Sequence, residues 1–208
     1  MPVYNGNVKQ KDLYFGGVKI KEAYYGSTKV YSAGYPTGTI LLETSTAGTY
    51  TLKLDYTQKY QIIMVGGGGG GGYFTNFSEY GYVAQGGQAS MVSGTATLTA
   101  GTYTVKVGAA GAAGAGGYGG SGGDGGDTTF AGNTAGGGKG AKVAGYIGEK
   151  HNGYGGTATV VTSGLTGSNG AQGGTSAKYG SYGAGGQAGG YWSRAGGPGY
   201  IKIVAVQS

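Results

Sequence analysis

Few residues in this sequence carry side chains that could do chemistry. The single histidine, His151, lies two positions after Glu149, which permits an acid–base pair, although a histidine in a solvated loop is the commoner case. The stretch GGGKGAK resembles a phosphate-binding loop, but Ala141 stands where Ser or Thr is needed. Asp124 and Asp127 are three residues apart, and because calcium usually takes six or more oxygen ligands, a turn is favoured over a metal site. We therefore expect no enzyme, no metal and no cofactor.

The composition indicates an ordered β protein. Glycine supplies 54 of the 208 residues, far above the roughly 7% of ordinary proteins. Disordered chains are rich in charge and poor in aromatic residues, whereas this chain has 20 tyrosines and only 11% charged residues. No segment keeps a helical period without glycine, and each interior glycine costs a helix about 1 kcal/mol. The sequence therefore predicts an all-β fold.

The net charge of +6 does not indicate nucleic-acid binding. The basic residues are dispersed, and arginine, whose planar fork suits phosphate, occurs only as Arg194. No apolar run approaches the ~20 residues that cross a bilayer. The first ten residues also lack the apolar region of a secretory signal, so we expect a protein made in the cytoplasm that does not span a membrane.

Alternating and apolar segments predict the strands. In GTYTLKLDY, Tyr50, Leu52 and Leu54 alternate with polar residues, which is typical of a half-buried strand. The apolar run 60–65 predicts a central strand. The motif GTYTLKL returns as GTYTVKV, which suggests equivalent positions in two opposed sheets. Further strands are expected in GTILLETS, at 88–99, at 102–108, in DTTFAG and TATVVTSG, and in the closing segment, with Ile201, Val204 and Val206 as core candidates.

Residues 1–35 contain an internal repeat. The unit VKQKDLYFGG is followed ten residues later by VKIKEAYYG, with alternating polar residues before a tyrosine-containing pair and a glycine. Such units predict short strands with tight turns, too small to bury a core of their own. We interpret 1–35 as a module for attachment or oligomerisation, and 36–208 as a separate glycine-rich β domain.

Seven consecutive glycines, 66–72, directly follow the predicted central strand. A flexible linker would mix glycine with serine or charge and would lie between domains. Extended three-residue-per-turn helices of the polyproline II type offer another use, because without side chains they can pack backbone to backbone and bond to neighbours on several sides. We therefore predict a β-sandwich-like core with a packed polyglycine layer.

At its strand-to-polyglycine junction and in AGTYTVKVG, GGDTTF and GPGYIKI, the sequence resembles the glycine-rich domain of bacteriophage tail-fibre and receptor-binding proteins, over about 39–206. The N-terminal repeat is similar to short repeats that begin tail proteins of phages with Gram-positive hosts. The architecture resembles the tail-tip adhesins of T-even-like phages, in which loops between polyglycine helices bind the receptor. The resemblance implies a virion protein that acts outside the cell, joins other tail proteins through its N-terminal module, and forms trimers as tail fibres commonly do.

Three segments rich in aromatic residues, here called the aromatic islands, interrupt the glycine-rich sequence: YFTNFSEYGY, YIGEKHNGY and KYGSYGAGGQAGGYWSR. Tyrosine and tryptophan give rigid contact area at low entropic cost, and sugar rings stack on their faces. These aromatics either bind a bacterial glycan or protein, or cover sheet edges and subunit contacts. The candidate receptor-binding residues are Tyr73, Phe74, Phe77, Tyr80, Tyr82, Tyr146, His151, Tyr154, Tyr179, Tyr182, Tyr191, Trp192 and Arg194.

Two other functions remain open beside a receptor-binding adhesin. The first is a purely structural, self-assembling glycine-rich β protein, such as a fibre or virion decoration. The second is an ice-binding or surface-layer protein, because flat faces rich in threonine and glycine can order water.

Overall fold

The fold is built from β-strands joined by turns and glycine-rich segments. A computed structural model describes residues 4–5, 8–9, 13–15, 18–20, 22–25, 27–32, 34–75, 81–115, 120–144, 149–189 and 192–206. Within these residues the strands are β1 (Tyr4–Asn5), β2 (Val8–Lys9), β3 (Leu13–Phe15), β4 (Val18–Ile20), β5 (Glu22–Tyr25), β6 (Thr28–Ser32), β7 (Ile40–Thr44), β8 (Gly48–Leu54), β9 (Gln58–Val65), β10 (Gly72–Thr75), β11 (Gly81–Ala84), β12 (Met91–Leu98), β13 (Gly101–Val107), β14 (Thr128–Phe130), β15 (Asn133–Ala135), β16 (Lys142–Ala144), β17 (Glu149–His151), β18 (Ala158–Thr159), β19 (Leu165–Ser168), β20 (Ala188–Gly189), β21 (Trp192–Ser193) and β22 (Tyr200–Ala205). The described residues contain no helix, and so none that is long and apolar enough to cross a membrane.

Two five-stranded antiparallel sheets pack face to face. Sheet I has the strand order β19-β12-β9-β22-β7, and sheet II has the order β18-β15-β14-β13-β8. Their facing side chains form one buried core, to which sheet I contributes Tyr60, Ile62 and Ile203 and sheet II contributes Leu54 and Phe130. The predicted all-β, sandwich-like fold is confirmed.

The burial pattern predicted for β8 and the central position predicted for β9 are confirmed. In β8, Leu52 and Leu54 are buried and Tyr50 is half-buried, while Thr51 and Lys53 face solvent. Strand β9 lies between β12 and β22 in the middle of sheet I, as its apolar sequence predicts. The expected strand at 88–99 begins only at Met91, because the preceding residues belong to a glycine-rich segment.

The two GTYT strands do not lie in opposed sheets, so that prediction is wrong. They are antiparallel neighbours in sheet II, where Gly101 pairs with Leu54 and Val107 with Gly48. A short corner precedes each of these strands, residues 45–47 before β8 and 99–100 before β13, and each carries the chain from sheet I to sheet II. In both strands the tyrosine hydroxyl donates to a carbonyl four residues earlier: Tyr50 to Thr46 at 2.7 Å and Tyr103 to Thr99 at 2.9 Å. The repeat therefore encodes a strand-starting corner.

In the last strand, the residues that face the core are partly different from the ones predicted. Ile201, Ile203 and Ala205 are fully buried, which confirms Ile201. Val204 and Val206 are only half-buried, so these two predictions are wrong. Because side chains alternate between the two faces of a strand, residue 204 lies on the face opposite Ile203, away from the core.

Glycine-rich segments form a lattice at one end of the sandwich. We call it the glycine lattice, and it comprises residues 66–71, 85–90, 108–114, 120–126, 136–141, 153–157, 170–174, 183–187 and 194–199. Its centre is 66–71, which continues directly from β9. The backbone N–H groups of this segment point to three antiparallel neighbours with a period of three residues, namely to Ser90 and Gly87, to Gly126 and Gly123, and to Gly197 and Arg194.

The carbonyl groups of the central segment point to three further neighbours, which run parallel to it. Gly67 and Gly70 accept from Gly138 and Ala141, Gly68 and Gly71 accept from Gly111 and Gly114, and Gly69 accepts from Gly186. Six segments, three antiparallel and three parallel, thus surround 66–71. A three-residue period with bonds in all directions is the geometry of a polyglycine helix packed among its own kind. The predicted polyglycine layer is confirmed.

Glycine is required in this lattice because neighbouring backbones touch. A Cβ atom built on any residue of 66–71 would lie closer than 3.0 Å to a backbone atom of another segment, a distance that real Cβ atoms essentially never show. For Gly69 the obstacle is the carbonyl group of Lys139. Because residues 66–71 are all glycine, no side chain keeps this backbone apart from its six neighbouring segments.

The described part of 1–35 forms three separate two-stranded hairpins, β1-β2, β3-β4 and β5-β6. Isolated hairpins are marginally stable in water. The division into an N-terminal module, 1–35, and a main domain, 36–208, stays a prediction.

Candidate functional site

Three hairpins extend from the end of the glycine lattice that lies away from the sandwich. Segments 66–71, 136–141 and 183–187 run outward in parallel. They continue into the hairpins β10-β11, β16-β17 and β20-β21, respectively, and the chain then returns through the lattice. We call these three hairpins the distal hairpins. Each of them contains part of one of the three aromatic islands found in the sequence.

The distal hairpins pack beside one another. Strand β10 lies against β16 and β21, and β11 lies against β17 and β20. At their base, Ala84, Ala141 and Val143 form a small buried cluster, and the N–H of Tyr73 donates to the carbonyl of Gly120 at 3.1 Å. Because a hairpin alone is marginal, this shared base and the lattice below it position the three hairpins as one surface.

Trp192 is the most exposed aromatic residue described on the distal hairpins, at 46%. It pairs across the hairpin with Gly189, and a Cβ on that glycine would lie 2.5 Å from the indole ring. The Arg194 guanidinium carbon is 5.3 Å from the centre of the indole, a distance at which a cation–π attraction operates. An indole beside a guanidinium suits a ligand with both an apolar face and a negative or hydroxyl group.

His151 and Tyr154 lie on and just below the hairpin β16-β17, and both are exposed. His151 pairs across the hairpin with Lys142. One lattice turn closer to the sandwich, the N–H of Lys139 donates to the carbonyl of Tyr154 at 2.8 Å. The two lysines were not singled out in the sequence, although their three-residue spacing from each other signals that they share one side of a polyglycine-type helix.

The structure places two of the candidate residues, Tyr179 and Tyr182, away from the distal hairpins. Their rings stack on Tyr200, with ring centres at 5.6 and 4.2 Å. The hydroxyl of Tyr200 donates to Glu43 at 2.6 Å, and a lysine, Lys202, pairs with the same carboxylate at 3.0 Å. Burial raises the pKa of Tyr200, and the hydrogen bond from Tyr200 lowers the pKa of Glu43. These tyrosines therefore cover the outer face of sheet I.

The remaining candidates are only partly described. Tyr73 is half-buried on β10, and the backbones of Phe74 and Tyr82 form a cross-strand pair in β10-β11. Four candidates lie outside the described residues: Phe77, Tyr80, Tyr146 and Tyr191.

The aspartates considered for calcium close the edge of the lattice instead. Asp124 and Asp127 each accept a backbone N–H at 2.8 Å, from Gly140 and Gly137 respectively. The bond from Gly140 lowers the pKa of Asp124, and Lys139 lowers it further. Within the described residues, no group of three or more His, Cys, Asp or Glu side chains is arranged to hold a metal ion.

The sandwich with its glycine lattice and distal hairpins defines a glycine-rich β-domain protein. A family model described as a glycine-rich domain matches residues 44–206, so the chain belongs to that family. No curated protein matches the chain. The glycine-rich part of the resemblance is thereby confirmed, and the tail-fibre context stays a proposal.

Proposed function

We propose that this protein is a non-enzymatic adhesin of a bacteriophage tail fibre or tail tip, which binds a glycan on the bacterial surface. The observation that supports it best is the presentation of aromatic residues on hairpins at the end of the glycine lattice. Interaction surfaces commonly consist of variable loops on a rigid support, and Trp192 with Arg194 gives a stacking face beside a hydrogen-bonding cation.

The N-terminal hairpins offer a way for the protein to attach to other tail proteins, as the same proposal requires. The hairpins of 1–35 directly precede the sandwich in the sequence. Short strands with free edges can pair with strands of another chain. The N-terminal module would then hold the protein on other tail proteins, in a trimer, while the distal hairpins face the cell. Assembly would take place in the host cytoplasm and binding outside it.

Adsorption to cells tests this function. The fluorescently labelled full chain is mixed with a panel of Gram-positive and Gram-negative strains, with and without mild periodate oxidation of their surface glycans, and light scattering gives its assembly state. We expect adsorption restricted to a few strains and lost after oxidation. Equal adsorption to all strains contradicts the proposal. Assembly into fibres with no adsorption to any strain favours the purely structural alternative.

A further inference from the structure

Four exposed residues form a two-by-two array on one side of the glycine lattice. Lys142 and His151 are cross-strand partners at the base of a distal hairpin. Lys139 and Tyr154 form the second row, joined by a backbone hydrogen bond of 2.8 Å. The rows are three residues apart along both segments, which corresponds to about 9 Å in a polyproline II-type helix. We call these four residues the lateral array.

The lateral array carries more positive than negative charge. Lys139 pairs with Asp124, with 3.0 Å between Nζ and Oδ2. That carboxylate also accepts the N–H of Gly140, and the charges of both Lys139 and Lys142 lower its pKa, so one negative charge stands against two lysines. Among the carboxylates whose side chains the structure describes, none forms an ion pair with Lys142. The imidazole of His151 offers at least one N–H donor in either protonation state.

The aromatic member of the array is not packed against the protein. Tyr154 is 68% exposed, the most exposed of the large hydrophobic residues in the described chain. Its backbone is fixed by the bond from Lys139, so the ring stands on a supported segment rather than on a free loop. A tyrosine ring gives a contact face that costs little conformational entropy when it binds.

We propose that the lateral array binds an anionic glycan, with a sugar ring on Tyr154 and its phosphate or carboxylate group between Lys142 and His151. An ammonium group and an imidazole N–H both form strong hydrogen bonds to anionic oxygens. This inference deepens the proposed function and rests on it for the choice of a glycan as the ligand. It adds a binding site on the side of the lattice, separate from the indole of Trp192.

Binding to a neutral polymer and to two anionic derivatives of it tests the lateral array. The full chain is titrated with dextran, phosphorylated dextran and carboxymethyl dextran at 50 and 150 mM salt. We expect binding to one or both anionic dextrans and not to dextran. Lys142→Gln and Tyr154→Ala should each weaken that binding roughly tenfold, the size of one charge-assisted contact, while Tyr154→Phe retains it.

Lys106→Gln is the matched control. Lys106 is an exposed lysine on the outer face of sheet II, and its replacement removes the same charge. Equal weakening by Lys106→Gln and Lys142→Gln, or no binding of either anionic dextran, overturns the inference. The same variants are also scored for cell adsorption. Adsorption to no strain, with the dextran results as expected, would refute the proposed function and leave the lateral array standing.

Discussion

The side-chain oxygen Oδ1 of Asp124 accepts the backbone N–H of Gly140 at 2.8 Å. Inside the glycine lattice this N–H would be bonded to the carbonyl of a neighbouring segment, and here the aspartate side chain takes the place of that carbonyl. Ser121 and Asp127 do the same for Val143 and Gly137, so the acceptors and the donors both repeat every three residues. A buried or edge N–H without a partner is unfavourable. Polar side chains therefore close this edge of the lattice without adding a further segment.

Removal of the charge at Asp124 should change how stability depends on pH. Its folded pKa lies below the ordinary value of 3.8, chiefly because of the Gly140 bond. The ionised group therefore stabilises the fold above about pH 4, and this contribution is lost as the pH falls through the lower folded pKa. We expect Asp124→Asn to lower the urea midpoint at pH 7, and the difference from the wild type to shrink as the pH falls below about 4 and through the folded pKa. A difference that stays constant as the pH falls through this range contradicts the role of the charge.

Gly69→Ala should destabilise the protein severely. Its methyl group would meet the backbone carbonyl of Lys139, which is held by other lattice bonds and cannot move alone. We expect a loss of about 3 kcal/mol or more in the free energy of unfolding. Gly101→Ala is the control, because the nearest atom to its Cβ would be the Tyr103 ring at 3.9 Å, and its effect should stay within about 1 kcal/mol. An unchanged melting temperature for Gly69→Ala would refute close packing there.

The glycine run should be as protected from solvent as a central strand. Each N–H from 66 to 71 has a backbone acceptor at 2.8–3.2 Å, and all six residues are buried. We expect hydrogen exchange in this segment to be slowed to the level of β9, because both open only with the whole domain. Exchange within seconds, with β9 still protected, would show that the run behaves as a flexible linker.

Asn133→Ala should cost more than the loss of an exposed asparagine. Its side chain is fully buried and accepts the N–H groups of Val161 and Thr162 at 2.9 and 3.1 Å, while its amide donates to Phe130 at 3.1 Å. Removal leaves these groups without partners, so we expect a loss of about 2–4 kcal/mol by chemical denaturation. Asn169→Ala removes a bond from Ala158 in an exposed position. That control should lose less, and equal losses would contradict the reasoning.

Elements whose physics is local were predictable from the sequence. The alternation in β8 shows which face of that strand is buried, and the apolar run of β9 indicates a central strand. The seven glycines 66–72 indicate a segment that can pack directly against other backbones. The lattice itself could be inferred because consecutive glycines after a buried strand have few other uses. Its edge could have been found too, since Ser121, Asp124 and Asp127 already show the three-residue period in the sequence.

Features that depend on distant pairing were not predictable. The GTYT repeat marks two equivalent corners, but it carries no information on which sheet each following strand joins. The stacking of Tyr182 on Tyr200 likewise depends on how residues 175–182 return across sheet I. An aromatic residue within a glycine-rich stretch has the same sequence signature whether it packs on the sandwich or stands on a distal hairpin. For this reason the candidate set combined two different surfaces.

Replacement of an aromatic residue on each of these surfaces should separate binding from stability. Trp192 is 46% exposed, so we expect Trp192→Ala to abolish adsorption to a susceptible strain while the melting temperature changes little. Tyr182 is half-buried and lies 4.2 Å from Tyr200, nearly parallel to it. Tyr182→Ala should therefore lower the melting temperature by several degrees, because a stacked pair stabilises the fold by about 0.5–1.5 kcal/mol beyond the effect of burying its apolar area. Adsorption should remain intact below that temperature. If Trp192→Ala unfolds the protein or changes its assembly state, the indole belongs to packing or to a subunit contact, and the binding role assigned to it is wrong.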